Sequence, residues 1–530
     1  MRAGLFYLSS ITRGCLLIFL LGFGLQISPL GWAQSSNAMG LAAAEHVPSA
    51  PKSEKSQLPE SLLQVRLEKS QPLPVDLSLL LQLVDEQNLP IQQADLRYKR
   101  AGNQTLLSYS RFLPNIELNY LHSRFQGGRQ IFGNQILNIF QTTINPQISA
   151  RWTVYPGGRD IYNSLAARRR QRAAKLDLTQ SWQQELSTTA VKYHQWLGAQ
   201  LYEFVAKSAL KASQELVKVN NARYQVGVGT KLELMQAQAQ QSQRERDVFL
   251  ALQLTGTLEQ QLLQQVNLDP DVYLGLSPQA LKQLSPQSLE ALFNDQLPLE
   301  VFTAMERPLL KTPSSEALPS IKRLLVYARQ HHPSLLRIAA EKKALQAEVG
   351  VTRSDILPSV DLSTYVGWGG SHWDSLALQR FGGFNIQANL LDNLGTSLPL
   401  RIRERMLAVR QNELLFEQEI RTIETKLTQS YLQILEAEKS IHAAKDEVEA
   451  ASESSRLAEA RYKAGVGVQL DVLESQSRLA TARRSLVEAI VRLNEGHIRL
   501  LEALGEASPK TLVDGWQMPD TQADASQSGA

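Results

Sequence analysis

The chain has 530 residues, of which 43% are hydrophobic, 20% charged and 7% aromatic, a composition that supports packed domains and excludes a disordered chain. Its 55 Lys and Arg nearly balance 52 Asp and Glu, with no long basic run, so the electrostatic footprint of a nucleic-acid binder is missing. The single cysteine, Cys15, leaves no disulfide framework, and it falls in a segment expected to be removed, which also excludes thiolate chemistry and Cys-based zinc sites.

Arg2 and Arg13 precede an apolar run from Cys15 to Leu25, and Gly31 and Ala33 flank Trp32, which predicts a secretory signal peptide over 1–33. A lipid anchor would need the cysteine at the cleavage point; Cys15 stands at the front of the run, so none is expected. Residues 34–75, rich in Ser, Pro and Ala, read as a flexible tail. After Ala33 no stretch reaches the roughly 18–20 consecutive apolar residues of a spanning helix, so any crossing of a membrane has to use strands.

Residues 76–268 form a first repeat. Ile116, Leu118 and Tyr120 alternate with Asn115, Glu117 and Asn119, and Ile148, Ala150, Trp152 and Val154 alternate with Gln147, Ser149, Arg151 and Thr153. These are period-two strands, each about the 9–11 residues of a tilted transmembrane strand. A helical pattern follows from about Asp160 to Asn221, with Leu186, Ala190, Tyr193, Leu197, Leu201 and Phe204 stepping by four and three. It ends at a turn, Arg223-Tyr224-Gln225-Val226-Gly227-Val228-Gly229, beyond which a second helix begins. Residues 269–320, punctuated by seven prolines from Pro270 to Pro319, read as a connector.

Residues 321–505 repeat the order. Arg461-Tyr462-Lys463-Ala464-Gly465-Val466-Gly467 echoes the first turn at an offset of 238, and Leu357-Pro358-Ser359 echoes Leu113-Pro114-Asn115 at 244. Val360, Leu362, Val366 and Trp368, then Phe384, Ile386, Ala388 and Leu390, give the second strand pair. Leu427, Ile434, Ile441 and Val448 recur every seven residues, as do Val472, Leu479, Leu486, Leu493 and Leu500 beyond the turn, with Ala482, Ala489, Gly496 and Ala503 beside them. The two helices flanking the turn are therefore expected to be antiparallel coiled-coil partners. Residues 506–530 turn polar and read as a second tail. Four strands cannot close a membrane barrel, so if they span a membrane the chain has to oligomerise; a dimer or a trimer would each serve.

The order helix, Leu-Pro strand, loop, strand, long helix, Arg-Tyr-x-x-Gly turn, helix, written twice behind a signal peptide, resembles the TolC-like outer membrane efflux proteins over roughly Asp76 to Gly505. The resemblance implies an α+β membrane protein: a homotrimer whose twelve-stranded β-barrel lies among outer membrane lipids and continues as a periplasmic α-helical barrel. It implies a passive duct for multidrug efflux or type I secretion, working with a periplasmic membrane-fusion adaptor and an inner-membrane pump of proton-driven or ABC type, without cofactor, catalysis or nucleic acid. It further implies an acidic ring of Asp471 and Glu474 at a constricted entrance, and a latch through Glu233 and Tyr462 that holds this entrance shut. A family arginine two residues past the second turn's glycine is replaced here by Gly467. The turn tips, Val226, Gly227, Val228 and Gly229 with Ala464, Gly465, Val466 and Gly467, present small apolar groups suited to docking the adaptor.

Other patterns carry less. Gly227-Val228-Gly229-Thr230-Lys231 lacks phosphate-loop spacing and follows a helix, and His331-His332 has no partner at zinc-ligand spacing, so both read as turn or solvated-terminus features. Arg168-Arg169-Arg170 reads as a solvated helix face, with the membrane rim or the lumen as the alternative. The competing reading of the whole chain is a non-catalytic periplasmic coiled-coil scaffold. Salt extraction of a helical rod would favour it over a detergent-resistant oligomer.

Overall fold

The computed structural model describes residues 73–131, 135–276, 319–388 and 395–516. The expected signal peptide, the tail up to residue 72, most of the connector and the end of the second tail lie outside the described residues. Strand β1, Leu73–Val75, leads into helices α1, Leu77–Gln87, and α2, Leu89–Ser110. A hairpin follows, β2 Asn115–Ile131 and β3 Gln135–Pro156, then helices α3 Arg159–Gln225 and α4 Lys231–Val266 and a short strand β4, Leu274–Leu276. The second repeat runs α5 Ile321–His331, α6 Pro333–Ser354, β5 Ser359–Gly369, β6 Ala377–Gln387, α7 Ser397–Lys463 and α8 Gln469–Leu504, and α9, Pro509–Asp514, comes last.

Duplication is visible in the lengths: α1 and α5 have 11 residues each, α2 and α6 have 22, α3 and α7 have 67, and α4 and α8 have 36. A 67-residue helix is about 100 Å long at 1.5 Å per residue. Local chemistry sets the boundaries. Asn88 accepts a hydrogen bond from the Ile91 N–H at 3.1 Å and Pro90 opens α2, while α8 ends at Gly505, whose φ of 77° lies in the left-handed region that favours glycine.

The four long strands form one antiparallel sheet in the order β2-β3-β5-β6, which places the two hairpins side by side and leaves β2 and β6 as its edges. The first hairpin is longer than the expected span: β2 has 17 residues and β3 has 22, whereas β5 and β6 have 11 each. Only the lower part of β3 is shared, since β5 pairs with residues 147–156 and β2 pairs with β3 along its whole length. The apolar face is bare in the chain, with Ile116 73%, Leu118 80% and Phe384 74% exposed. Among the described residues no helix is long and apolar enough to cross a membrane.

The seven-residue rows are the helical core. Leu427, Ile434, Ile441 and Val448 on α7 are buried, as are Val472, Leu486, Leu493 and Leu500 on α8, and the small residues Ala482, Ala489, Gly496 and Ala503 let the axes approach. A Cβ on Gly496 would lie 2.9 Å from Ile434 Cγ1, so this contact excludes any larger residue without a shift.

Both expected tails reach further into the body than their composition indicates. Leu73–Val75 pairs in parallel with Leu274–Leu276 of the connector, and Leu73 and Val75 are buried. At the other end Ala507, Leu512 and Trp516 are buried, and Tyr327 packs against Trp516 at 5.5 Å between ring centroids. Three- and six-residue elements are too short to show a period, so burial alone reveals them. His332 is a second correction: it caps α6, accepting from the Ser334 N–H at 3.2 Å, and burial lowers its pKa to about 4, so it is not a solvated terminus. Replacing Trp516→Ala is expected to cost about 3–5 kcal/mol, the range for emptying a buried aromatic site, read as a lowered unfolding midpoint by circular dichroism; an unchanged midpoint would return residues 506–516 to the tail.

Candidate functional site at the helical turns

The two turns have the same backbone. In the first, the N–H groups of Val228 and Gly229 both donate to the Arg223 carbonyl, at 3.0 and 2.9 Å; in the second, those of Val466 and Gly467 donate to the Arg461 carbonyl, both at 3.1 Å. Gly227 and Gly465 have φ of 77° and 79°, the left-handed region that favours glycine. Gly229 and Gly467 are required for a different reason. A Cβ there would lie 3.0 Å from the Arg223 Cβ in the first turn and 2.8 Å from the Tyr462 backbone nitrogen in the second. A larger residue at Gly467 therefore needs a local shift of the turn backbone. Val226, Val228 and Val466 are exposed, as are Gly227, Ala464 and Gly465, while Gly229 and Gly467 are half-buried.

Behind the turns lies a small core of Leu216, Ala237, Tyr462 and Val472, one residue from each of the four long helices. Tyr462 is 2% exposed, and its hydroxyl donates to Asn220 Oδ1 on α3. The Arg223 guanidinium stands 4.8 Å from the centre of the Tyr462 ring and donates to the Tyr462 carbonyl at 3.5 Å. Burial raises the Tyr462 pKa, opposed by the nearby Arg223 charge and aided by Glu233, so the phenol stays a donor. Three polar contacts therefore tie the α3–α4 hairpin to the α7–α8 hairpin, the third being the Gln469 side-chain amide donating to the Glu233 carbonyl at 2.8 Å. Asn220 Nδ2, Arg223 Nε and Gln469 Oε1 are buried here without a partner among the described residues, so the seam is polar and incompletely satisfied.

The Glu233 carboxylate is used within its own helix. It accepts from the Thr230 N–H at 2.9 Å while the Glu233 N–H donates to Thr230 Oγ1 at 3.2 Å, a complete capping box. Its backbone carbonyl, not its charge, makes the bond to the other hairpin. The equivalent cap position on α8 is Val468, whose side chain has no oxygen to offer, so no capping box forms there and Asp471 lies exposed in the first turn. Glu474 is exposed one turn further on and pairs with Arg478 at 2.5 Å. Of the residues named from sequence, Tyr462 and Glu233 are thus brought together, Asp471 and Glu474 share the start of α8, and the eight tip residues form the two turns. Among the described residues no group of His, Cys, Asp or Glu has the arrangement of a metal site.

A family model described as outer membrane efflux protein matches residues 80–267 and 324–506, the two repeats. The chain belongs to the outer membrane efflux protein family. It is 27% identical over 338 residues to the pyoverdine export outer membrane protein OpmQ of Pseudomonas aeruginosa, a match covering 63% of this chain and 62% of that relative, which is less than two thirds of its length. Its fold is similar to the outer-membrane channel OprN, with a TM-score of 0.67 at 18% identity over 82% of this chain and 90% of that one. It is also similar to the CmeC outer membrane channel of Campylobacter jejuni, with a TM-score of 0.66 at 15% identity over 81% and 86%.

In this efflux-family chain, sequence reasoning missed Asn220, Arg223 and Arg478. Arg223 lies inside the repeated motif, yet the repeat gives no reason to prefer it over Arg461; only the packing shows that the first copy's arginine reaches the second copy's tyrosine. Among the described residues the reverse pairing does not occur: Tyr224 is exposed, and the position equivalent to Asn220 is Ala458, whose side chain has no acceptor. Tyr462→Phe removes the hydroxyl bridge and is expected to weaken the contact between the hairpins by about 1–3 kcal/mol, seen as faster amide exchange at residues 216–223 and higher conductance in planar bilayers. Glu233→Gln keeps the capping box and should stay near wild type; equal effects of the two substitutions would remove Tyr462 from the contact.

Proposed function

We propose that the protein is the outer membrane exit duct of a tripartite efflux or secretion system, conducting drugs, proteins or other solutes passively from an inner-membrane pump and a periplasmic adaptor to the outside. The observation that carries this reading is the open four-stranded sheet, bare on its apolar face and continuous at its ends with 67-residue helices. Backbone groups on β2 and β6 need partners, and in hydrocarbon each unpaired group costs several kcal/mol. The strands alternate in direction, so β6 of one copy can pair antiparallel with β2 of the next. The helices at the same two edges also carry unpartnered apolar side chains: Leu96, Leu106 and Leu107 on α2, and Leu400, Leu407 and Leu414 on α7. Such a contact between unlike faces closes into a ring when its rotation allows. The family resemblance supplies three copies and hence a barrel of twelve strands, continued into the periplasm by the helices.

In a trimer, Asp471 and Glu474 put six carboxylates around the axis at the helical entrance, partly offset by Arg478. Carboxylates this close favour cations, and multivalent ions most, because one such ion relieves several repulsions at once. Asp471→Ala with Glu474→Ala is therefore expected to weaken cation preference and trivalent block in planar bilayers while leaving the oligomer intact. Wild-type selectivity in this double variant would reduce the acids to ordinary helix-end charges.

The exposed tips are the proposed adaptor-docking surface. Val228→Asp with Val466→Asp should abolish site-specific cross-linking to the adaptor and export in cells without changing oligomer yield. Normal cross-linking and export would rule out docking through the tips.

A further inference from the structure

The charge of the chain is unevenly placed. Residues 97–111, 159–175, 341–355 and 397–410, the parts of α2, α3, α6 and α7 and their caps that adjoin the strands, contain 17 Lys and Arg against 5 Asp and Glu, although the whole chain is nearly balanced at 55 and 52. Several of these cations are paired: Glu348 on α6 binds both Arg170 on α3 and Arg405 on α7, and Asp355 binds Arg401. Arg168, Arg169 and Arg172 on α3 and Arg403 on α7 make no ion pair or hydrogen bond among the described residues. Among the described residues no acid lies within ion-pair distance of them.

Their setting indicates what they face. Helical spacing places Ile161, Leu165, Arg168, Arg172 and Lys175 on one stripe of α3, starting three residues after β3 ends. The flanks of α3 are occupied by its neighbours: Asp160 faces Arg111 of the α2 cap, and Tyr162 lies against Gly350 of α6. The stripe between them is open, with Ile161 59% exposed. It changes from apolar to basic as it leaves the strands, the sequence of environments met on passing from hydrocarbon through headgroups to water. A wall facing a water-filled lumen would gain nothing from exposed Ile161 and Leu165. Because α3 and α7 both begin at the strands, their side chains tilt back toward the sheet, which brings the guanidinium groups closer to the membrane plane than their Cα atoms.

We propose that Arg168 and Arg172, on the open stripe of α3, form part of a basic collar that binds the anionic phospholipid headgroups of the leaflet nearest the helices. The collar fixes the depth at which the sheet sits. Clustered arginines just outside a hydrophobic band are attracted to an anionic surface over about one Debye length, some 8 Å at physiological salt, and the planar guanidinium matches phosphate oxygens in a two-pronged contact. The proposal rests on the reading above that the strands lie in lipid.

The test uses the full oligomer reconstituted in phosphatidylcholine vesicles, with tryptophan quenching by brominated phosphatidylglycerol compared with brominated phosphatidylcholine. Wild type should prefer the anionic lipid several-fold, and 0.5 M salt should reduce that preference, as expected for screened surface charge. R168Q/R172Q should reduce it markedly, and the charge-preserving Arg→Lys double variant should restore most of it. Equal quenching by both lipids in wild type, or an undiminished preference in the Gln variant, would overturn the collar while leaving the duct intact. A Gln variant with unchanged lipid preference but altered ion selectivity would place the arginines in the lumen, also overturning it. Quenching by neither lipid would remove both the collar and the lipid-embedded sheet.

Discussion

The structure depends on one constraint: an antiparallel sheet of four strands cannot satisfy its own edges. Inside the sheet every strand is paired, β2 with β3, β3 with β5 and β5 with β6, but the outer sides of β2 and β6 present rows of N–H and C=O groups. Water can satisfy such groups and hydrocarbon cannot. The exposed apolar face of the same strands is the surface hydrocarbon would cover. Both features are met together when copies join edge to edge and lipid surrounds the ring. The helices at the two edges, α2 and α7, show the same unfinished character in their bare leucines.

The helical part follows from the same arrangement. Each strand pair hands over to a helix, and a ring of strands can continue as a ring of helices only if corresponding helices have equal rise. The matched lengths of all four helix pairs meet that condition. Within each hairpin the seven-residue rows provide the cohesion, with Gly496 and the α8 alanines setting how closely the axes approach. At the tips the cohesion changes character. A small core around Tyr462 and an incompletely bonded polar seam replace the broad apolar stripe, so the hairpins are held more weakly there than along the shaft.

Symmetry between the repeats is broken at two places. The first hairpin is longer than the second, and among the described residues its portion beyond the Ile144–Gly370 bridge pairs with no strand of the second repeat. At the tips, among the described residues, the tyrosine of the second repeat is buried and donates to Asn220, whereas Tyr224 of the first is exposed and the residue equivalent to Asn220 is Ala458. Duplication supplied two equivalent turns, and single-residue differences made one of them the tie between the hairpins.

The amino-acid sequence by itself determined the duplication, the strand-and-long-helix order, the heptad seams and the positions of both turns, because each is a local pattern: period two, period seven, or a repeated glycine motif whose backbone requirement is met within a few residues. It did not reveal that Leu73–Val75 and Trp516 join the body, since elements of three to six residues have no period and are ordered by what covers them. Nor did it show that Arg223 and Asn220 converge on Tyr462 from more than two hundred residues away. Those contacts exist only when two hairpins are packed side by side. Tertiary structure decided them because a side chain's partner is set by which helix lies beside it, and no spacing along one helix encodes its neighbour.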